Sequence, residues 1–200
     1  MKIEKNTNLE IERWFPTTIG VVDWQLFDTF KDDYINHLSN LEYSESGFNP
    51  YEIHKDDKFK NLNDWITFNV NEYAKKHLFN HNYMPYESWV NNYPENHFQP
   101  YHTHNGWTIS TVFYLSADED DAKTNFKSPY YADMKNPQGI SPHNNTDPNK
   151  FNDYTYQISS YKPVEGRLLI FRSFVEHSTD KKVKGLKNRI IFSYNYDPKE

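Results

Sequence analysis

Apolar residues fall into two rhythms along this chain. Over residues 9–24, Leu9, Ile11, Trp14 and Phe15, then Ile19, Val21 and Val22, read as two short strands separated by Pro16-Thr17-Thr18, the first of them opening a sheet. Over residues 24–41 the spacing lengthens to mostly three and four, at Phe27, Phe30, Tyr34, Ile35, Leu38 and Leu41. That spacing predicts an amphipathic helix lying against a sheet. After a breaker-rich loop at residues 44–50 the same spacing returns in Leu62, Trp65, Ile66, Val70, Tyr73, Ala74 and Leu78, a second helix whose start Asn61 or Asn63 can cap. Strand signals then dominate, at residues 87–93, 107–115, 154–161, 166–171 and 189–196. The order of the elements predicts an α+β chain, with N-terminal helices packed on one sheet of a β-sandwich or jelly roll.

One stretch fits neither rhythm. Residues 116–152 carry Pro129, Pro137, Gly139, Pro142 and Pro148 and are too long for a simple connection, so they are expected to form a lid or binding loop. At 200 residues the chain is expected to be one domain, residues 1–200, with 116–152 as its insert.

Composition narrows the chemistry. A net charge of -6, with one short basic cluster at residues 181–187 that reads as a solvated hairpin, argues against an electrostatic grip on nucleic acid or anionic lipid. Cysteine is absent, which removes disulfides and thiolates and leaves His, Asp and Glu for any metal. The opening Met1-Lys2-Ile3-Glu4-Lys5 lacks the apolar run of a signal peptide, and no run of about 18 apolar residues occurs. A soluble, cytoplasmic protein is expected. Aromatic residues make up 18%, so the core is expected to be built from Phe, Tyr and Trp, which suit strands.

The candidate chemistry lies in Gln99-Pro100-Tyr101-His102-Thr103-His104-Asn105, with His177 and Arg189 further on. Placed on a strand, His102 and His104 share a face, and His177 follows the strand-like run Gly166-Arg167-Leu168-Leu169-Ile170-Phe171, so the three imidazoles can converge. Iron and zinc both take neutral imidazole, and three such ligands leave positions open for substrate or oxygen. Arg189, at the head of the last strand, is placed to hold an anionic ligand nearby. His37, His54, His77, His81, His97 and His143 fall in helices or loops and read as surface residues. Tyr101, Trp107, Tyr130 and Tyr131 are candidates for a pocket lining.

Taken in order, a longer set of residues resembles a known family. Trp89-Val90-Asn91, His102-x-His104, Val112-Phe113-Tyr114-Leu115, Asn125-Phe126-Lys127-Ser128-Pro129, Pro163-x-x-Gly166-x-Leu168-x-Ile170-Phe171-x-Ser173, His177 and Arg189-Ile190-Ile191-Phe192-Ser193-Tyr194-Asn195 resemble the 2-oxoglutarate/Fe(II) oxygenases of bacteria and tailed phages, and Trp14-Phe15-Pro16-Thr17-Thr18 is similar to that family's opening strand. The resemblance implies a double-stranded β-helix in which His102, His104 and His177 hold Fe(II) and Arg189 pairs with the 5-carboxylate of 2-oxoglutarate through its guanidinium fork. It also implies a dioxygenase that hydroxylates a small-molecule or peptide substrate while 2-oxoglutarate is decarboxylated to succinate, in the cytoplasm of a bacterium or phage-infected host; a homodimer is an open expectation.

Two positions depart from the family pattern. Most such enzymes carry His-x-Asp or His-x-Glu where this chain has His104, so a carboxylate from Asp118, Glu119, Asp120 or Asp121 is an alternative ligand, although that run also reads as a solvated turn. Ile191 stands where many relatives place a serine that helps hold the cosubstrate, which leaves Tyr114 or Thr111 to supply the hydroxyl. Two other readings stay open: a cupin-like metalloenzyme, which would not need Arg189, and a non-catalytic jelly-roll binding or structural module.

Overall fold

A computed structural model describes residues 16–130 and 157–199. Nine strands and two helices follow one another as β1 (Ile19–Asp23), α1 (Phe27–His37), β2 (Phe48–Asn49), α2 (Lys60–Lys76), β3 (Tyr83–Tyr93), β4 (Ile109–Ser116), β5 (Thr124–Lys127), β6 (Ile158–Tyr161), β7 (Arg167–Arg172), β8 (His177–Thr179) and β9 (Arg189–Pro198). Six strands form an antiparallel sheet in the order β1-β7-β4-β9-β3-β2, and three more form a smaller sheet in the order β6-β5-β8. The fold is the expected one, with both helices on the larger sheet.

Alternation along the strands assigns each face. On β9, Ile190, Phe192, Tyr194 and Tyr196 join Ile109, Phe113 and Leu115 of β4 and Leu168 and Ile170 of β7 in a core shared with Phe27 and Tyr34 of α1 and Leu62, Ile66 and Val70 of α2. Aromatic edges lock the layers: Phe59, just before α2, meets Phe192 edge-on at 5.4 Å, and Trp24 stacks with Phe30 at 5.4 Å. The opposite face of the same strands presents Arg189, Ile191, Ser193 and Asn195, and here Val112, Tyr114, Leu169, Phe171 and Ile191 pack with Phe126 of the smaller sheet. The site lies on this second face, between the sheets.

Gly166 couples the helix layer to the strands. It sits at φ +77°, its N–H donates to the Tyr114 carbonyl and its own carbonyl accepts from Trp24 N, both at 2.9 Å. A Cβ at this position would come within 2.8 Å of the Phe27 ring, so only glycine lets α1 seat here.

Several expectations need correction. Neither Asn61 nor Asn63 caps α2, whose first turn follows directly on a short 3-10 turn capped by Asp56; the Asn63 amide instead donates to the Ile53 carbonyl at 2.9 Å while its oxygen accepts from Tyr194. His102 and His104 lie in no regular strand: His102 makes an isolated bridge to His177, and His104 N donates to the Ser173 carbonyl. The expected lid begins with the last residue of β4 and contains β5, so strands take up part of its described residues; residues 131–152 lie outside the described residues, as do the strand expected at residues 9–15 and residues 154–156 of the one expected at 154–161. The basic cluster is not wholly solvated, because Lys182 is 3% exposed with its ammonium 3.0 Å from the buried Asp121 carboxylate. Among the described residues no helix is long and apolar enough to cross a membrane.

Candidate metal centre

His102, His104 and His177 converge although the first two stand 73 or more residues from the third. The bridge between His102 and His177 has two backbone hydrogen bonds of 2.9 Å, which bring the loop beside β8. His102 Nδ1 lies 2.8 Å from the Pro100 carbonyl and His177 Nδ1 lies 3.0 Å from the Val175 carbonyl. A carbonyl can only accept, so each Nδ1 carries the proton and each Nε2 keeps a lone pair. Backbone carbonyls orient metal-binding imidazoles in this way. His104 rests on the Trp89 ring at 5.4 Å, and ring centroids within the trio are 4.3 to 5.1 Å apart.

The donor set fits a single divalent ion. One ligand atom from each histidine lies within 4.8 Å of the others, and Nε2 of His104 and Nε2 of His177 are 3.2 Å apart. An ion about 2.1 Å from both nitrogens would subtend roughly 100°, an ordinary angle between neighbouring ligands. Burial, reinforced by the nearby His102, pushes His104 down to about 4 and His177 down to about 3. Both rings are therefore neutral at pH 7, the form that coordinates.

No carboxylate among the described residues joins the trio. Asp121 accepts from Ala122 N and Val183 N and pairs with Lys182, while Asp118 accepts from Lys187 N, so this part of the acidic run braces the loop after β8 instead.

Arg189 is 1% exposed. Its guanidinium lies over the rings of Tyr93 at 5.2 Å and Tyr114 at 5.7 Å, and Nη2 donates to Thr124 Oγ1 at 3.2 Å. Its Nε has no hydrogen-bond partner, and no carboxylate among the described residues pairs with it. A buried guanidinium in this state favours an anion beside it, because leaving such a charge uncompensated is costly. Burial, partly offset by Arg189, pushes the Tyr93 hydroxyl up to about 12 and raises Tyr114 as well, so both stay protonated.

Of the two hydroxyls expected near Arg189, Tyr114 is there, bonded to Thr124 at 2.6 Å, and Thr111 is not. Thr111 alternates with Val112 and Tyr114 and so faces the helix side with Ile109 and Phe113, where its hydroxyl has no partner. Thr124 takes that place. It could have been found by pairing Asn125-Phe126-Lys127 with Ser178 and His177, a register that puts Thr124 opposite Thr179.

Between the sheets lies a cavity of about 360 Å3 walled by the three histidines together with Trp89, Asn91, Tyr93, Gln99, Val112, Thr124, Ile191 and Ser193. Its size is that of a small-molecule site. Tyr101 and Trp107, candidates for its lining, do not line it: Tyr101 faces a neighbouring groove under the Lys127 ammonium, and Trp107 stacks on Tyr86 at 5.9 Å. Tyr130 is exposed and Tyr131 lies outside the described residues. The aromatic walls come instead from β3, whose alternation Glu87, Trp89, Asn91, Tyr93 matches the inward phase of β9.

A two-sheet β-helix with an inward histidine trio and a buried arginine that has no carboxylate partner among the described residues has the parts of a metal-dependent enzyme that takes an anionic ligand. Residues 87–195, more than half of the chain, match the family described as "Putative 2OG-Fe(II) oxygenase", and the chain belongs to that family of oxidoreductases, whose metal is Fe(II) and whose cosubstrate is 2-oxoglutarate. Solved structures with the same fold include HygX from Streptomyces hygroscopicus with iron bound, at 13% identity and TM-score 0.61, covering 91% of this chain and 83% of that one. They also include a prolyl-4-hydroxylase from Pseudomonas putida, at 12% identity and TM-score 0.60, covering 92% and 94%. A third is a 2OG-Fe(II) oxygenase family oxidoreductase from Burkholderia pseudomallei, at 10% identity and TM-score 0.58, covering 90% and 84%. No curated protein sequence matches the chain.

Proposed function

We propose that this protein hydroxylates an organic substrate, consuming O2 and 2-oxoglutarate and releasing succinate and CO2. The observation that carries this reading is the clustering of three imidazoles on a cavity walled also by Tyr93 and Thr124, the side chains that touch the buried Arg189 guanidinium, which has no carboxylate partner among the described residues. His102, His104 and His177 would hold Fe(II), which when bound supplies oxygen activation coupled to oxidative decarboxylation of the keto acid.

The chain's own residues do the rest. Arg189 receives the 5-carboxylate, and its fork is held in place by Thr124 and by the faces of Tyr93 and Tyr114. Ile191 and Val112 cover the methylene stem and exclude water from the keto acid. Because the histidines are neutral, the metal's charge is left for the cosubstrate dianion to balance, so the all-histidine shell favours 2-oxoglutarate uptake. The substrate, small molecule or peptide side chain, enters the remainder of the cavity.

Anaerobic addition of Fe(II) and then 2-oxoglutarate is expected to produce a visible charge-transfer band that requires both, and admission of O2 is expected to yield succinate. Succinate formation that is independent of Fe(II), or a band unaffected by 2-oxoglutarate, would overturn the reading.

A further inference from the structure

A second hollow adjoins the wall formed by His104 and Trp89. It measures about 490 Å3, shares Phe48, Trp89 and His104 with the first cavity as walls, and is also lined by Glu87 and Glu52. The two acids differ in their surroundings. Glu52 is paired with Lys55 at 2.7 Å, whereas Glu87 has no cationic partner among the described residues and is bound by the amide of Asn195 at 2.7 Å. Burial lowers the nearby His54, which leaves that ring uncharged beside Glu87 at neutral pH.

Glu87 is the terminus of a directed hydrogen-bond chain. Ser110 Oγ donates to Asn195 Oδ1 at 2.7 Å, which uses its only proton, so the 2.7 Å contact between Ser110 and Ser173 must be a donation by Ser173. Asn195 then passes its N–H to Glu87. Every donor points toward the carboxylate, and Ser173, Ser110 and Asn195 are all buried. Such a chain polarises cumulatively and holds the carboxylate in one rotamer. Immobilising a solvent-facing glutamate sacrifices side-chain entropy and adds nothing to the core, so a purely structural account leaves the chain without a purpose.

The placement of charge sorts two ligands. On the inward face of β3, Tyr93 is opposite Arg189 and Glu87 is opposite Asn195. At roughly 3.3 Å per residue the cationic and anionic ends are about 20 Å apart, with Trp89 and the histidine it touches between them. An anionic cosubstrate is drawn to one end and repelled from the other.

We propose that Glu87 receives a positively charged group of the substrate, an ammonium or guanidinium, while Trp89 and Phe48 cover the carbon chain that leads from it to the histidines. The assignment rests on the oxygenase reading of the cavity. It makes the substrate class cationic, an amine or guanidine on an aliphatic arm.

Four probes with one carbon chain test it: n-butylguanidinium, n-butylammonium, n-butanol and butyrate, each added anaerobically to protein loaded with Fe(II) and 2-oxoglutarate and followed by saturation-transfer NMR. The two cations are expected to bind about two- to five-fold more tightly than the alcohol, butyrate least, and Glu87→Gln is expected to erase that order. Fe(II) and 2-oxoglutarate uptake, read in the same samples, should persist in Glu87→Gln. Equal binding of the four probes, or an unchanged order in Glu87→Gln, would overturn the proposal while leaving the oxygenase reading intact. Failure of wild type to take up Fe(II) and 2-oxoglutarate would sink the oxygenase reading, and with it the assignment of the cation as substrate, even if the metal-free protein still preferred the cations.

Discussion

Nε2 of His104 faces Nε2 of His177 across 3.2 Å, and both rings are held neutral by burial. Two nitrogens this close cannot both present lone pairs without repulsion. Without a metal one of them carries the proton of a hydrogen bond between the rings, whereas a shared cation takes a lone pair from both.

Removing either member should therefore cost the metal and spare the fold. His104→Ala and His177→Ala are each expected to lower Fe(II) affinity more than about 100-fold, beyond what loss of a mere orienting partner costs. Anaerobic equilibrium dialysis measures it, with circular dichroism as the control. Retention of stoichiometric iron by either variant would remove that histidine from the shell.

Arg189 supports a pair of opposed expectations. Arg189→Lys keeps the charge but loses the fork, and is expected to weaken 2-oxoglutarate binding tens- to thousands-fold at unchanged iron content, equivalent to about 2 to 5 kcal/mol. Arg189→Met should abolish that binding yet raise the melting temperature of the ligand-free protein, because a buried unpaired charge is exchanged for an apolar side chain, a gain of about 1 to 4 kcal/mol. Calorimetry with and without 2-oxoglutarate reads both effects.

The Asp121 to Lys182 pair sets an acid limit on stability. Burial raises the Asp121 carboxyl, but the amides of Val183 and Ala122 together with Lys182 outweigh it and hold the group below its ordinary value. A lowered folded pKa means that the unfolded chain binds the extra proton, so this contribution is complete above about pH 4 and disappears as pH falls through the folded value. Asp121→Asn is expected to cost about 3 kcal/mol at pH 7 and to flatten the acid limb of a urea-denaturation profile. A variant profile parallel to wild type would rule the pair out as the cause.

Gly166→Ala probes the seating of α1. The added methyl collides with the Phe27 ring and forces a left-handed backbone on a residue that resists it, a loss of about 1 to 3 kcal/mol. Hydrogen exchange should show the excess opening concentrated in α1. Uniform loss of protection over both sheets would mean that the glycine serves the strands alone.

The sequence disclosed the elements whose periodicity is long and missed those that are short or held by partners. Both helices and the strands around Trp89, Phe113, Leu169 and Phe192 carry enough alternation to be read directly. β2 has two residues and β8 three, and β5 is preceded by an acidic run that hides its pattern, so none could be seen without its neighbour. His102 and His104 were legible as a pair with His177, but the loop and bridge that hold them depend on backbone contacts to His177 and Ser173. Thr111 and Thr124 show the difference most clearly: one looked eligible by residue type, and strand phase and register, which are tertiary facts, favour the other.

β9 carries two messages at once. Ile190, Phe192, Tyr194 and Tyr196 hold the helix layer, and the alternate residues, Arg189, Ile191, Ser193 and Asn195, lie on the opposite face, where Ile191 and Ser193 line the cavity. A saturation mutational scan across this strand should read like a comb, with teeth of lost abundance at the even positions and gaps in which abundance survives but turnover does not. Inserting or deleting a single residue would swap the two sets, so the strand can change its chemistry by substitution and never by length.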